Sequence, residues 1–374
     1  MKYLLTLLLS LLLINSLNCS FQGEIFTKTN KRGKNLIISP LSIFQALSLL
    51  ANGAKENTLS EMLDLLGSNT IEELNEINYK IISMFKDFTT MEIANAVMTR
   101  FTPLEDFSNI AEEYLAPVEP LVSLEQVNNW CSDKTHGKIT KILDALDPST
   151  LMIILNAVYF KGEWSSKFNS DLTKNLSFYN FGNEEILIET MSQIEIFKYY
   201  EDKKVQAIEM HFIKDLMSAI IILPSEGTDI NKYIDTLFTS DEEFTQIIQG
   251  LKFAKVHLQL PKFELENNYT LSSVLGSLGM IEAFDENKAD FRGLRKEGSL
   301  FVNEVIHKTY MRVFEDGCEA AAVTAIDVIG GGMITVEEKI YDMKINRPFL
   351  FLLKNLRLPA GYDLVFMSKI ENLS

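Results

Sequence analysis

Apolar residues recur at helical spacing through the first third of the chain and then give way to shorter, denser runs. Leu41 to Asn52 places them on successive turns behind Ser39-Pro40, a helix start signal. The same spacing predicts helices over Thr58 to Leu66, closed by Gly67, and over Ile71 to Phe88 and Glu125 to Lys134. From the middle onward the pattern changes. Leu151 to Phe160 and Met217 to Leu223 are near-continuous apolar runs, the code for strands buried on both faces. Val256 to Phe263 alternates, Leu300 to Tyr310 reads as a strand, and Phe349 to Leu353 and Leu364 to Met367 are short buried strands. Leu271 to Leu278 is a helix among them. Helices and strands interleave without a regular βαβ series, so the fold class is α+β.

One late stretch fits neither pattern simply. Cys318 to Ile329, inside EDGCEAAAVTAIDVIGGGM, splits at period two into an uncharged face (Cys318, Ala320, Ala322, Thr324, Ile326, Val328) and a face holding Glu319 and Asp327. That is a strand with one buried face, but twelve residues at about 3.3 Å each would reach roughly 40 Å, very long for a strand. Both ends read as loop: Glu315-Asp316-Gly317 is a turn signal and Gly330-Gly331-Gly332 a break. The segment suits an exposed loop and also a place within a sheet.

The 374 residues are 47% hydrophobic and 23% charged, enough for a large core. A net charge of -16 turns the surface away from nucleic acid and anionic membrane. The opening MKYLLTLLLSLLLINSLNCS has the form of a secretory signal, with an apolar run, Leu4 to Ile14, too short to span a bilayer. Residues 1–19 are read as that leader, residues 20–374 as one extracellular domain. Three cysteines, Cys19, Cys131 and Cys318, make no disulfide scaffold. Asn175, Asn268 and Asn372 begin N-glycan acceptor triplets.

Catalytic and cofactor motifs are missing from the sequence. No Gly-x-Ser-x-Gly elbow, zinc-binding pair, phosphate loop or dinucleotide glycine pattern occurs, and the four histidines stand in no hydrolase motif. His307, in an apolar strand, reads as a hydrogen-bonded core residue, and Cys131 as buried. No metal, cofactor or enzymatic activity is expected.

The chain resembles the serpins, nearly end to end. Asn35-Leu-Ile-Ile-Ser-Pro-Leu-Ser42, Thr135-His-Gly-Lys-Ile139, Leu155-Asn-Ala-Val-Tyr-Phe-Lys-Gly-Glu-Trp164, Leu260-Pro-Lys-Phe263, Ala289-Asp-Phe291 and Asn346-Arg-Pro-Phe-Leu-Phe351 follow in the family's order. The resemblance implies three β-sheets, about nine helices and an exposed reactive-centre loop, here about 315–341. It implies a monomeric suicide substrate: a serine protease cleaves the loop, the loop enters the central sheet, and the acyl-enzyme is trapped. Glu315, Gly317, Cys318, Glu319, Ala320, Ala321 and Ala322 match the small-residue hinge of inhibitory members, and the inserting face is free of the prolines or charges common in non-inhibitory carriers, chaperones and storage proteins, which are the alternative. Trp164, Lys262 and Glu315 match the point where the sheet first opens, called the breach. Ser39, Ser42, Asn156 and His307 match the polar cluster under its centre, called the shutter. Departures are Cys318 for a usual threonine, Asn303 for serine and Ser368 for glycine. Met333–Ile334 is the expected reactive bond, which suits a chymotrypsin-like or elastase-like protease; Lys339–Ile340 is second and would suit a trypsin-like one. No strongly basic helix appears, so no heparin-type activator is expected.

Overall fold

The computed structural model describes residues 21–85, 91–213, 216–239, 241–318 and 339–374. Its first half runs α1 (residues 21–29), β1 (Leu36–Ile38), α2 (Pro40–Ala51), α3 (Glu56–Leu66), α4 (Ile71–Phe85), β2 (Met91–Thr99), α5 (Glu105–Glu113), β3 (Val118–Pro120), α6 (Leu124–Lys134), β4 (Met152–Phe160), β5 (Gly162–Glu163) and β6 (Lys174–Tyr179). Then follow β7 (Glu185–Glu201), β8 (Val205–His211), β9 (Met217–Pro224), α7 (Ile230–Thr239), α8 (Asp241–Gly250), β10 (Lys252–Pro261), β11 (Phe263–Thr270) and α9 (Ser272–Ser277). The chain closes through β12 (Val305–Phe314), β13 (Gly317–Cys318), β14 (Ile340–Lys344), β15 (Phe349–Asn355) and β16 (Leu364–Ile370).

Two hydrogen-bonded sheets result. One runs β3-β2-β4-β12-β13-β5, with β11 against β12; the other runs β1-β16-β15-β9-β8-β7-β10-β14, with β6 against β7. The resemblance implies three sheets; the described residues form two hydrogen-bonded ones. β7 is 17 residues long and pairs with β6 over Glu185–Thr190, with β10 over Thr190–Tyr199 and with β8 over Lys198–Glu201. Nine α-helices stand among the described residues, so the α+β class and the helix count agree with the sequence.

Local chemistry explains the elements. Ser39 caps α2 by accepting from the Ser42 amide, and Pro40 takes the first turn, where no amide hydrogen is needed. All of α2 is buried between the sheets, because PLSIFQALSLLA offers no charged face. Its hydroxyls turn inward onto backbone, as when Ser48 donates to the Phe44 carbonyl at 2.7 Å. Gly67 ends α3 in the left-handed conformation, φ 66°. The alternating run Val256 to Phe263 is a correction. It is not one strand but the end of β10 and the start of β11, parted at Lys262 after Pro261. The two halves belong to different sheets, β10 against β7 and β11 against β12, which period-two patterning cannot distinguish.

Phe349 is fully buried where the layers meet, edge-on to Phe178 at 6.4 Å and to Phe263 at 5.8 Å. Phe349→Ala should destabilise the fold by about 3–5 kcal/mol, read as a lowered denaturant midpoint at unchanged slope.

Candidate functional site

β4 and β12 run side by side in parallel register, from Ile154 opposite Val305 to Tyr159 opposite Tyr310. Beyond that point they part. The gap is filled by β13, whose Gly317 and Cys318 pair antiparallel with Phe314 and Val313 on one side and with Glu163 and Gly162 on the other. The sheet is therefore a fork, closed along β4·β12, with two residues of the late stretch already seated in its mouth. Cys318 is completely buried there, and burial pushes its thiol well above the ordinary range. This corrects the expected boundaries of the exposed loop. Gly317 and Cys318 are built into the sheet behind the Glu315–Asp316 turn, and Ile340 and Tyr341 belong to β14. Glu319, Ala320, Ala321, Ala322, Met333 and Ile334 lie outside the described residues, as does the expected leader 1–19.

Around the mouth of the fork the structure brings Trp164, Lys262 and Glu315 together. Trp164 is buried and stacked on Phe212, centroids 4.4 Å apart, and donates from Nε1 to the Phe314 carbonyl at 3.1 Å. Its backbone amide donates to the Asp316 carbonyl, and the Phe168 amide to that of Glu315. Glu315 accepts from Thr173 Oγ1 at 2.8 Å and lies 3.3 Å from Lys262 Nζ, which also meets Glu189 at 3.2 Å. Partial burial works against the Glu315 charge, but hydrogen bonds from backbone and Thr173, with the Lys262 ammonium, outweigh it and hold the carboxyl below its usual range. Lys167 adds a second tie, bridging Glu163 at 2.9 Å and Asp316 at 3.3 Å.

Below the fork, Ser39, Ser42, Asn156 and His307 form one buried cluster, and the register explains why. Asn95 on β2, Asn156 on β4 and His307 on β12 stand in a single row across three strands. The Ser39 amide donates to His307 Nε2 at 3.0 Å, so Nε2 is unprotonated and Nδ1 carries the hydrogen, which it donates to Asn156 Oδ1. Asn156 Nδ2 donates in turn to Ser42 Oγ and Asn95 Oδ1. Burial depresses the His307 imidazolium to about 3, so the ring is neutral at physiological pH.

Some of these partners carry no sequence signal. Nothing marks Thr173 or Glu189 until the chain is folded, whereas Asn95, a lone polar residue in the apolar run IANAVM, is visible once sought. Among the glycan candidates, Asn175 is exposed on β6. Asn268 and Asn372 spend their side-chain amides on the carbonyls of Ile142 and Gly33. Cys131 is buried, its thiol pushed up to about 12 by desolvation, and neither it nor Cys318 is disulfide-bonded. No described helix is long and apolar enough to cross a membrane, and no metal-binding cluster occurs among the described residues.

A forked sheet, a two-residue strand seated in the fork and a buried polar cluster beneath it make up the site. The family model described as Serpin (serine protease inhibitor) matches residues 16–372. The chain belongs to the serpin family. A leukocyte elastase inhibitor of Xenopus laevis is 32% identical over 361 residues, which cover 90% of this chain and 93% of that one. The native-state crystal structure of the thermophilic serpin tengpin superposes with a TM-score of 0.85 at 31% identity, covering 96% of this chain and 94% of that one. Thyroxine-binding globulin in complex with thyroxine gives 0.84 at 25% identity, covering 96% and 98%.

Two expectations follow. Below pH 6.5 the unfolded chain takes up a proton at residue 307 that the native state refuses until about pH 3, so this group costs the native state stability as acid rises through that window. The slope is about 1.4 kcal/mol per pH unit. His307→Gln should flatten the acid limb of a stability-versus-pH curve over that range while lowering stability at neutral pH. At position 317, an added Cβ would stand 2.0 Å from the Gly162 carbonyl oxygen. Gly317→Ala should expel β13 from the fork, and a thiol titration of the native protein should find one more reactive group than in the parent.

Proposed function

We propose that this serpin is a secreted suicide inhibitor of a serine protease, with residues 1–19 a removable leader and residues 20–374 one extracellular domain. The observation that carries the reading is the position of β13. Its two residues open the fork, and continued insertion would replace the parallel β4·β12 ladder with two antiparallel ones. Antiparallel pairing is the more stable per residue, and each inserted residue adds a second ladder where there was one. The favourable direction is therefore inward, held back only because the loop is tethered at both ends. Serpin loop insertion is a standing example of strand addition to a sheet and of strain released on cleavage. The small residues Ala320, Ala321 and Ala322 suit entry between strands without clashes.

In this reading Glu315, Gly317 and Cys318 start the hinge, Trp164 and Lys262 guard the breach, and Ser39, Ser42, Asn156 and His307 are the shutter. The reactive bond is Met333–Ile334. Lys339–Ile340 is the weaker choice, because Ile340 is already paired in β14 opposite Lys255, and a protease cleft would have to unzip that strand to bind it. Methionine suits the apolar primary pocket of a chymotrypsin-like or elastase-like enzyme. The similarity to a leukocyte elastase inhibitor supports that target class. The protease supplies the nucleophile and base; the inhibitor contributes a substrate and a falling free energy.

Thyroxine-binding globulin as a structural neighbour favours a second reading, a non-inhibitory carrier. One experiment separates them. Incubated with chymotrypsin or elastase, the protein should leave an SDS-stable adduct and release a C-terminal fragment beginning at Ile334. Loop-nicked protein should melt far above the intact chain. Met333→Arg should move adduct formation to trypsin. Cleavage with no adduct and no gain in melting temperature overturns the inhibitor in favour of the carrier.

A further inference from the structure

On the outer face of β7, β10 and β14, away from the fork, three side chains stand in the order of an acyl-transfer centre. His257 is in the middle of β10. Asp342 of β14 lies directly opposite it in register, and Ser192 of β7 lies one diagonal step away, opposite Gln259. His257 Nδ1 is 2.8 Å from Asp342 Oδ1, and His257 Nε2 is 3.2 Å from Ser192 Oγ. A carboxylate only accepts, so in the neutral ring Nδ1 carries the hydrogen and Nε2 is left to accept from the Ser192 hydroxyl. Nucleophile, base and orienting acid are thus joined through the atoms that an activated serine requires. Gln206 Nε2 donates to the Asp342 carbonyl at 2.9 Å and fixes the backbone that presents the acid.

The surroundings fit an acyl group. Ile194, Ile196, Phe253 and Ile340 share this face and are 49%, 50%, 51% and 47% exposed. Ile194, His257 and Asp342 form one row across the strands, and Ile196, Lys255 and Ile340 form the next. Exposed apolar side chains gathered on one face of a protein mark a binding surface more often than scattered single residues do. Lys255 supplies a positive charge in the row beside His257.

We propose that this face is a second, independent site: an esterase centre for activated aryl esters of medium-chain aliphatic acids. Ser192 Oγ attacks the ester carbonyl and passes its proton to His257 Nε2. The tetrahedral adduct collapses, its bond to the aryl oxygen breaks, and His257 returns the proton to the leaving phenolate. Solvent water then attacks the acyl-serine, giving a proton to His257. The Ser192–acyl bond breaks, the acid departs and Ser192 recovers its hydrogen. Asp342 is 64% exposed, so its charge is screened by water, and turnover is slow. Aryl esters react because their leaving group is good; amides do not.

The test uses the full chain and p-nitrophenyl hexanoate. A burst of p-nitrophenol should accompany a hexanoyl mass increment that peptide mapping places on Ser192. Ser192→Ala should abolish the burst and the acyl increment, His257→Ala should slow acylation about 100-fold, the low end of what a positioned base supplies, and Asp342→Asn should slow it less. Ser192→Ala should keep the parent's melting temperature and its adduct with the protease. A hexanoyl group mapped to any other residue of the parent chain, or undiminished turnover by folded Ser192→Ala, overturns the proposal. The map on the parent chain decides the matter even where a variant fails to fold.

Discussion

The hydrogen bond from His307 Nδ1 to Asn156 Oδ1 crosses the seam between β4 and β12, and the rest of the molecule is arranged around that seam. It is a bond between neutral groups in a dry interior, where each partner would be costly to leave unpaired. The Ser39 amide fixes the imidazole tautomer from below, so the cap of α2 and the central sheet are one network. Parting the strands breaks the His307–Asn156 bond unless an entering backbone replaces what is lost. The latch thus opposes spontaneous opening without opposing exchange, which is the property of a barrier and not of a well.

The mouth of the fork works by a different chemistry. There the ties are charged and partly solvated: Glu315 to Lys262 and Thr173, Lys167 to Glu163 and Asp316. Exposed ion pairs are individually weak, of the order of 1 kcal/mol or less, and yield to salt and competition. A neutral buried latch behind a charged, yielding entrance makes opening directional. In the proposed mechanism, the end at which the late stretch would enter is the end that gives way first.

Much of this is legible in sequence. The helix signals around Ser39-Pro40 and Gly67 hold, the apolar runs are strands, and the polar cluster assembles from the residues that the serpin motifs single out. What is illegible is sheet membership. The 17-residue β7 has no reading in the sequence at all, and Val256 to Phe263 reads as one strand and is two. Period-two patterning reports which side of a strand is buried, never which neighbour it pairs with. The same limit hides the Ser192, His257 and Asp342 array. Those residues are 65 and 85 positions apart in sequence, and only the β7·β10·β14 register brings them together.

The entrance also shows why its glycines are needed. Gly317, opposite Glu163 in the β13·β5 register, runs so close to the Gly162 carbonyl that a Cβ on residue 317 would meet that oxygen at 2.0 Å. A Cβ on Gly162 would meet Phe160 at 2.7 Å and Phe212 at 2.8 Å. Phe160 stands edge-on to Phe212 at 5.0 Å, and Phe212 stacks on Trp164, so three aromatic rings wedge the cleft to the width of a bare backbone. A strand whose first residue carried a side chain would be stopped there. The turn glycine is thus fitted to the cleft, and Cys318 behind it is a side chain buried whole in the sheet.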